Sequence, residues 1–467
     1  MATRSTSRGV DRSRVTEEGV CCAACAGQRA VLPASPGPAA ARKPGLTVLQ
    51  PARPTIVRGT DRRIAFGGVL GAAALLGTAG LSAIASGPGT TPWLPLHLAL
   101  AGAASTAVAA MLPFFTAALA QVGPARPALR IGAVVLVAGG SVIAATGMNG
   151  GTAAVAVTGG VAYVAGLLAL AGSAFLPLLT SLGSRLRLVH AAYAAALAQV
   201  GVGVLLATTM LAGWSPVAGA WSVLKPAHAW LNVFGFVVLV VAASLLHLAP
   251  TVAGARIRPR RSITVAITCL MSGAPLIALG YGMGWDVVGR SGAIVELLGA
   301  TSLVAYAATV QRDRGAWTSD FGWHRFAGLS LLAGQAWLLV AVAIGAGRIV
   351  WLGTTPAAWS VGLIAVPLVA GGIGQVLVGS WTHLVPAIGP GDQQAHAVQR
   401  RWLGQAAMAR WLAWNAGVVL ATVGMLVDGE DLVAAGGLMV GGAFLAGLAL
   451  LGLSVTLSPR RARAAVA

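Results

Sequence analysis

The segments SLLHLAPTVAG (Ser244–Gly254) and SWTHLVPAIGP (Ser380–Pro390) each close a long apolar stretch with the pattern His-Leu-x-Pro. A histidine and a proline at the same depth of two apolar stretches indicate an internal repeat. Lipid tolerates ionisable side chains poorly, so histidines at such depths are candidates for function. The two segments therefore predict a membrane protein built from repeated helices.

The composition is that of a chain that lies mostly within a bilayer. Of its 467 residues, 57% are hydrophobic, only 9% are charged and 63 are glycines, which favour close packing of membrane helices. The net charge of +19 does not indicate nucleic-acid binding, because the arginines fall in short clusters between apolar stretches. The partner that this composition predicts is the lipid bilayer.

Twelve apolar stretches are each long enough to cross a hydrocarbon core of about 30 Å. They cover approximately 64–85, 94–121, 128–148, 152–178, 188–212, 228–251, 263–284, 291–310, 324–346, 359–388, 405–427 and 432–456. We therefore predict an all-α, polytopic membrane helix bundle. The predicted domains are a disordered basic cytoplasmic tail (1–62), a transmembrane domain of about 12 helices (63–457) and a basic cytoplasmic tail (458–467).

The loops predict the orientation of the bundle. Every second loop is rich in arginine, and the loops between them are nearly neutral or acidic. The arginines of the arginine-rich loops and of the C-terminal tail are Arg126, Arg130, Arg185, Arg187, Arg256, Arg258, Arg260, Arg261, Arg312, Arg314, Arg400, Arg401, Arg460, Arg461 and Arg463. The positive-inside rule places these loops and both termini in the cytoplasm, so the protein is predicted to be a multi-pass protein of the inner (plasma) membrane.

Two histidines and one carboxylate are predicted near the outer face. His97 opens the second predicted span, His228 opens the sixth, and Glu296 lies one to two turns into the eighth. Because neutral imidazole ligates haem iron and copper, we predict His97 and His228 as cofactor ligands, and His228 and Glu296 as metal ligands. The alternatives are histidines that are hydrogen-bonded to a neighbouring helix or to water, and for Glu296 a salt bridge to Arg290 or Arg348.

A second group of histidines is predicted near the cytoplasmic face. His247 and His383 end the sixth and tenth spans and are either metal ligands or residues of a helix stop before proline. His228 and His247 are 19 residues apart on one helix, or about 28 Å, so they cannot share a metal centre. Two sites, or one site and structural histidines, both remain open. His396 is predicted to lie solvated in a polar loop.

The remaining polar residues have simpler interpretations. Cys21, Cys22 and Cys25 form a Cys-x-x-Cys in the N-terminal tail, but without the second pair that a zinc ribbon requires. They are either incidental thiols or a metal-capture or redox-sensing element. Cys269 is interpreted as a packing residue. Four amides are interpreted as hydrogen-bond partners between helices: Asn232, Gln335, Gln375 and Asn415.

The second, sixth and tenth spans all run from outside to inside, and each carries a Leu-(x)-Pro near its inner end, as in MLPFFTAALAQ. A period of four spans suggests three pseudo-repeated four-helix arcs. This layout resembles the catalytic subunit of haem–copper oxidases and nitric oxide reductases. It resembles more closely the membrane region found in actinobacteria, alone or fused ahead of copper nitrite reductase and multicopper oxidase domains, through LHLALAGAASTAV, KPAHAWLNVFGFVVLVVAASLLHLAPTVAGARI, GQVLVGSWTHLVPAIG and ARWLAWNAGVVL.

The resemblance implies roles for two histidines and also shows departures. His97 would correspond to the haem ligand of helix two, and His228 to the first histidine of a His-x-His-Leu-Asn motif. Trp230 stands where the second histidine of that motif often is, the seventh span has no histidine pair, and the tenth has one histidine, at its inner end. This incomplete set argues against a standard terminal oxidase or nitric oxide reductase, and no catalytic residue is predicted.

The sequence thus predicts a membrane protein that holds haem or copper near the outer face, for electron transfer or metal handling. Its partner would be a periplasmic or extracellular copper protein or redox partner. The alternatives are a secondary transporter or permease, in keeping with repeated helices and abundant glycine, and a membrane scaffold without a cofactor.

The predicted orientation can be tested with reporter fusions. A fluorescent protein fused after Ala467 should fluoresce, whereas alkaline phosphatase should be active when inserted after Gly150 and inactive when inserted after Arg258. The physical reason is that the arginine-rich loops are retained on the cytoplasmic side. An active phosphatase after Arg258 would show that the predicted orientation is wrong.

Overall fold

The computed structural model describes residues 59–86, 93–180, 187–258, 260–315 and 322–464. Within these ranges the chain is all-helical, and twelve helices are long and apolar enough to cross a membrane. They are α1 (Gly59–Ala85), α2 (Trp93–Ala120), α3 (Pro127–Asn149), α4 (Ala153–Leu179), α5 (Arg187–Leu211), α6 (Trp221–Ala253), α7 (Arg261–Met283), α8 (Asp286–Arg312), α9 (Trp323–Leu352), α10 (Pro356–Ile388), α11 (Ala407–Leu426) and α12 (Glu430–Leu457). The predicted all-α bundle is confirmed. Residues 1–58, with Cys21, Cys22 and Cys25, lie outside the described residues.

The helix ends differ from the predicted ends where polar residues or prolines continue a helix. Helix α6 begins at Trp221, ahead of Lys225 and Pro226, which look like loop residues in the sequence. A lysine near a helix end can reach the interface, and membrane helices accommodate proline when neighbouring helices cover the freed backbone groups. His228 therefore lies about two turns inside α6 instead of opening it.

Each group of four helices contains one hairpin in which two antiparallel helices pack closely. These hairpins are α3–α4, α7–α8 and α11–α12. Glycine permits the close approach: a Cβ atom on Gly140 of α3 would lie 2.5 Å from the backbone nitrogen of Tyr163. A Cβ on Gly280 of α7 would lie 2.5 Å from the Cα of Gly289, and one on Gly436 of α12 would lie 2.5 Å from the carbonyl oxygen of Gly417. The hairpins support the predicted three-arc repeat.

The helices that precede these hairpins are interrupted by π-helical turns. In the described part of the chain, π segments occupy Leu98–Ala104 in α2, Trp230–Val238 in α6 and Val366–Gly374 in α10. The π segment of α2 contacts those of both α6 and α10, and α2 and α6 are the most buried of the spanning helices. The wide turns therefore meet in the interior of the bundle.

The π segments extend the repeat that the sequence motif suggests. The segment of α10 begins 136 residues after that of α6, at Val366 compared with Trp230. The same spacing separates His383 from His247 in the His-Leu-x-Pro motif. The register of α6 and α10 is thus the same from the π segment to the inner end.

Amide side chains link neighbouring helices in the third arc. Trp337 of α9 donates its indole N–H to Oδ1 of Asn415 in α11 at 2.9 Å. Asn415 in turn donates to Oε1 of Gln375 in α10 at 3.1 Å. Gln335, in contrast, donates to the carbonyl of Leu331 in its own helix. The interpretation of Gln375 and Asn415 as interhelical partners is confirmed. The amide N–H of Gln335 donates within its own helix instead.

The prediction that His396 lies in a polar loop is wrong. It lies in a connecting helix, Gln393–Leu403, between α10 and α11. The side chain of Asp392 caps this helix by accepting a hydrogen bond from the backbone nitrogen of Ala395 at 2.9 Å. The polar run that resembles a loop is therefore a short helix with basic residues at its end.

The glycine contacts generate a test with a matched neighbour. Gly140→Ala should lower the stability by about 1–3 kcal/mol, because the new methyl group meets the backbone of α4. Gly139→Ala, one residue earlier, adds the same methyl group where no atom lies within 4 Å, and should leave the stability unchanged or slightly higher. Thermal unfolding in detergent measures both; equal melting temperatures for the two variants would contradict the close α3–α4 packing.

Candidate functional site

His97 lies in α2, immediately before the π segment. Its Nδ1 is 2.8 Å from the carbonyl oxygen of Trp93, one turn earlier in the same helix. A carbonyl can only accept a hydrogen bond, so Nδ1 carries the proton and Nε2 keeps the lone pair. The Trp93 indole stacks on the imidazole, with ring centroids 3.9 Å apart, and fixes the plane of the ring.

His228 has the same tautomer, set by a neighbouring helix. Its Nδ1 is 2.8 Å from the carbonyl oxygen of Gly203 in α5, so this nitrogen is the donor. The side-chain amide nitrogen of Asn232, one turn on in α6, lies 2.9 Å from Nδ1 and 3.3 Å from Nε2. Because the amide nitrogen is almost equally far from both ring nitrogens, it lies against the imidazole and not along the Nε2 lone pair. Nε2 therefore keeps its lone pair available as an acceptor.

The structure places the two histidines on helices that contact each other. The π segments of α2 and α6 touch, and His97 lies within electrostatic range of His228 and Lys225. Both imidazoles thus have Nδ1 held by a backbone carbonyl and Nε2 directed away from it. Metal-bound histidines are usually held in this way, because the second-shell acceptor fixes the tautomer and the ring.

Glu296 does not join this pair. Its side chain is fully buried and lies against Gly273 of α7, where a Cβ atom would be 2.3 Å from Oε2. The backbone of Ala274, also in α7, lies near its carboxyl group, whose oxygens make no hydrogen bond within the described residues. The three-residue site with His97 and His228 is not formed, because α8 presents Glu296 to α7.

The predicted alternative for Glu296, a salt bridge to Arg290 or Arg348, is also not formed. Arg290 pairs with Asp286 at 2.6 Å and donates to the carbonyl of Val350. Arg348 donates to the carbonyls of Ala357 and Ala358. Both arginines are thus engaged at the end of the bundle, and Glu296 is a buried acid without an ionic partner among the described residues.

The inner histidines form two separate pairs. His247 of α6 interacts with His190 of α5, and the ring of His383 in α10 lies 6.4 Å from that of His324 in α9. Nε2 of His247 and Nδ1 of His383 are buried without a hydrogen-bond partner. Trp323 stacks parallel on His383, with centroids 5.2 Å apart.

The described part of the chain has no cluster of three His, Cys, Asp or Glu side chains with metal-binding geometry, so His228, Glu296, His247 and His383 do not form one centre. Two neutral imidazoles suit copper, and iron in haem also accepts them. Trp230 and Phe234, which follow His228 in α6, are fully buried, and their rings stack 4.2 Å apart. Such large buried rings next to His228 favour a small ion over a porphyrin.

Two residues of this site were not identified from the sequence. Gly203 contributes only its carbonyl, which no side-chain pattern reveals. Asn232 was interpreted only as a helix–helix partner, although its position four residues after His228 places both on one helix face. That spacing was the available signal.

One comparison with known proteins bears on the fold. The chain is similar to the solved cryo-EM structure of a haem–copper terminal oxidase dimer. The TM-score is 0.59 with 12% sequence identity, over 86% of this chain and 84% of that chain. No protein-family model and no curated protein sequence matches. The predicted resemblance to haem–copper oxidases is thus confirmed for the helical architecture, and identity this low speaks to the fold alone.

His396, outside the spanning helices, generates a pH test. Burial lowers its pKa below the usual 6.5, and the positive charges of Arg62 and Arg400 act in the same direction. The unfolded chain therefore takes up this proton at a higher pH than the folded chain, and stability falls as the pH drops below 6.5.

His396→Gln should reduce the loss of stability on going from pH 7.5 to pH 5.5, because glutamine takes up no proton. Thermal unfolding of wild type and variant at both pH values measures the difference. If the variant loses as much stability as the wild type, His396 is not protonated more easily in the unfolded chain.

Proposed function

We propose that this protein binds copper through His97 and His228 near the arginine-poor face of the membrane, for electron transfer or metal handling. The observation that carries the proposal is the shared tautomer: both Nδ1 atoms bond to backbone carbonyls at 2.8 Å, which leaves both Nε2 atoms as donors to a metal. Haem is the alternative group. The partner would be a copper protein or redox protein outside the membrane, as in the actinobacterial fusions that the sequence resembles.

The two imidazoles are ready to bind without a change of protonation. Each is neutral in this hydrogen-bond pattern, so no charge has to be buried before the metal arrives. The Gly203 carbonyl and the Trp93 indole hold the two rings in place, and Asn232 has only to release its 3.3 Å contact to Nε2. Bound copper would supply one-electron chemistry or a transferable ion.

Glu296 is proposed to relay or tune protons for this site. A carboxyl group that is fully buried in a membrane helix is expensive and is a functional candidate by default. Because it lies against α7 and not beside the histidines, it would act on the surrounding polar groups and not as a ligand. His247 and His383 are secondary candidates as metal ligands at the inner ends of α6 and α10.

A visible spectrum and a copper assay on detergent-purified protein test the proposal first. The protein should be expressed with copper and haem supplied and measured oxidised and dithionite-reduced. We expect stoichiometric copper, and in the oxidised state an electron paramagnetic resonance signal split by nitrogen. A Soret band would instead assign the pair to haem, and a colourless, copper-free protein would contradict the proposal.

The ligands are tested by substitution. His97→Ala and His228→Ala should each weaken copper binding by about tenfold or more, and change the nitrogen splitting, because one of two donors is lost. His396→Ala, in the connecting helix, should retain the wild-type copper content and serves as the control. Copper that survives both single substitutions would show that the pair is not the site; gel filtration and melting temperature confirm that the variants are folded.

A further inference from the structure

Arg410 is a buried arginine in α11 whose contacts leave part of its guanidinium group unused. It is 6% exposed. Its Nε donates to the carbonyl of Gln405 at 3.0 Å and its Nη2 to the carbonyl of Leu403 at 2.6 Å. The guanidinium plane lies over the Phe326 ring, 4.2 Å from its centroid. These contacts fix the group but supply no negative charge.

No carboxylate of the described residues pairs with Arg410. Within the described ranges its contacts are the two carbonyls and one aromatic ring, and Nη1 donates to none of their atoms. A buried guanidinium stays charged at any physiological pH. Within a membrane protein such a charge is expected to have a counter-ion. Arg410 is therefore a fixed cation whose Nη1 is available to an anionic ligand.

The unused part of the guanidinium faces a recess. A shallow, partly open recess is lined by Arg410 together with residues of α10, the connecting helix and α12, and a Cβ atom on Gly447 of α12 would lie 3.6 Å from Nη1. Its polar lining residues are Arg410 and Thr382, and its apolar lining residues include Phe444, Leu448 and Leu451 of α12. The recess thus combines a cation with apolar side chains of a membrane helix.

The position of the recess agrees with the charge pattern of the chain. Leu403, the last residue of the connecting helix, lines it, and Arg400 and Arg401 stand just before Leu403. These arginines belong to the arginine-rich ends of the bundle, where anionic headgroups gather at the membrane surface. A ligand with an acidic headgroup and a hydrocarbon tail matches both features of the recess.

We propose that the Arg410 recess binds the phosphate of an anionic phospholipid, with one acyl chain against Phe444, Leu448 and Leu451. The two N–H groups of Nη1 would donate to phosphate oxygens, since guanidinium matches phosphate geometry. The bound lipid supplies the missing counter-ion and ties α10, α11 and α12 together.

Native mass spectrometry and thermal unfolding in detergent test the proposal, with phosphatidylglycerol, phosphatidylcholine and glycerol phosphate as probes. Wild-type protein should retain phosphatidylglycerol and melt at a higher temperature with it than with phosphatidylcholine. Arg410→Gln should weaken retention of phosphatidylglycerol about tenfold or more, because charge-assisted hydrogen bonds to phosphate are lost.

A matched control separates lipid binding from general destabilisation. Arg348 also donates through Nε and Nη2 to two backbone carbonyls, at 3.1 and 2.6 Å, but does not line the recess. Arg348→Gln should keep the selective retention of phosphatidylglycerol. Gly447→Leu fills the recess while keeping Arg410, and should lose the lipid even if Arg410→Gln fails to fold.

Three results would overturn the proposal. They are equal retention of phosphatidylglycerol and phosphatidylcholine by the wild type, unchanged retention by Gly447→Leu, and a response to glycerol phosphate as large as that to the lipid. The last would assign the recess to a soluble phosphate compound.

Discussion

Lipid offers no hydrogen-bond partner to a polar group, and this constraint explains where the polar atoms of the protein lie. Backbone groups are satisfied within helices, and the side chains that must donate do so to carbonyls. His97 and His228 each give their Nδ1 proton to a backbone oxygen, and Arg410 gives two donors in the same way. Several polar atoms of the described residues are left without a partner, among them Nε2 of His247 and Nδ1 of His383. We infer binding sites from three others, the Nε2 atoms of His97 and His228 and Nη1 of Arg410.

The same constraint explains where the π segments lie. A π turn replaces the usual hydrogen-bond pattern, is rare, and is found most often at functional sites. Here such turns occur where α2 touches α6 and α10, in the interior, so neighbouring helices shield the altered backbone. His97 precedes one of these turns directly and His228 precedes another by two residues. The wide turns thus lie beside the candidate ligands in both helices.

The sequence predicts the features that depend on hydropathy and charge, and misses those that depend on contacts. The apolar periodicity identifies the spanning helices, and α2 and α6, which carry His97 and His228, contact each other through their π segments. The sequence does not predict the π segments, because a π turn and an α turn in lipid have the same composition. The carbonyl of Gly203 has no side-chain signature. Glu296 was expected beside Arg290 or the histidines, since hydropathy indicates its depth but not the neighbouring helix that it faces.

The three arcs share a scaffold but only some of their polar residues: His247 and His383 are equivalent, whereas other positions differ. At the position of His247 and His383, three residues before the inner proline, α2 carries Ala110, which packs on Gly68 of α1. At the position of His228, 136 residues later, α10 carries Ile364. In these two places an apolar residue fills the position that a histidine occupies in another arc. The fold therefore does not require histidines at these positions, and we explain them by what they bind. For this reason the ligand tests, and not the fold, decide the function.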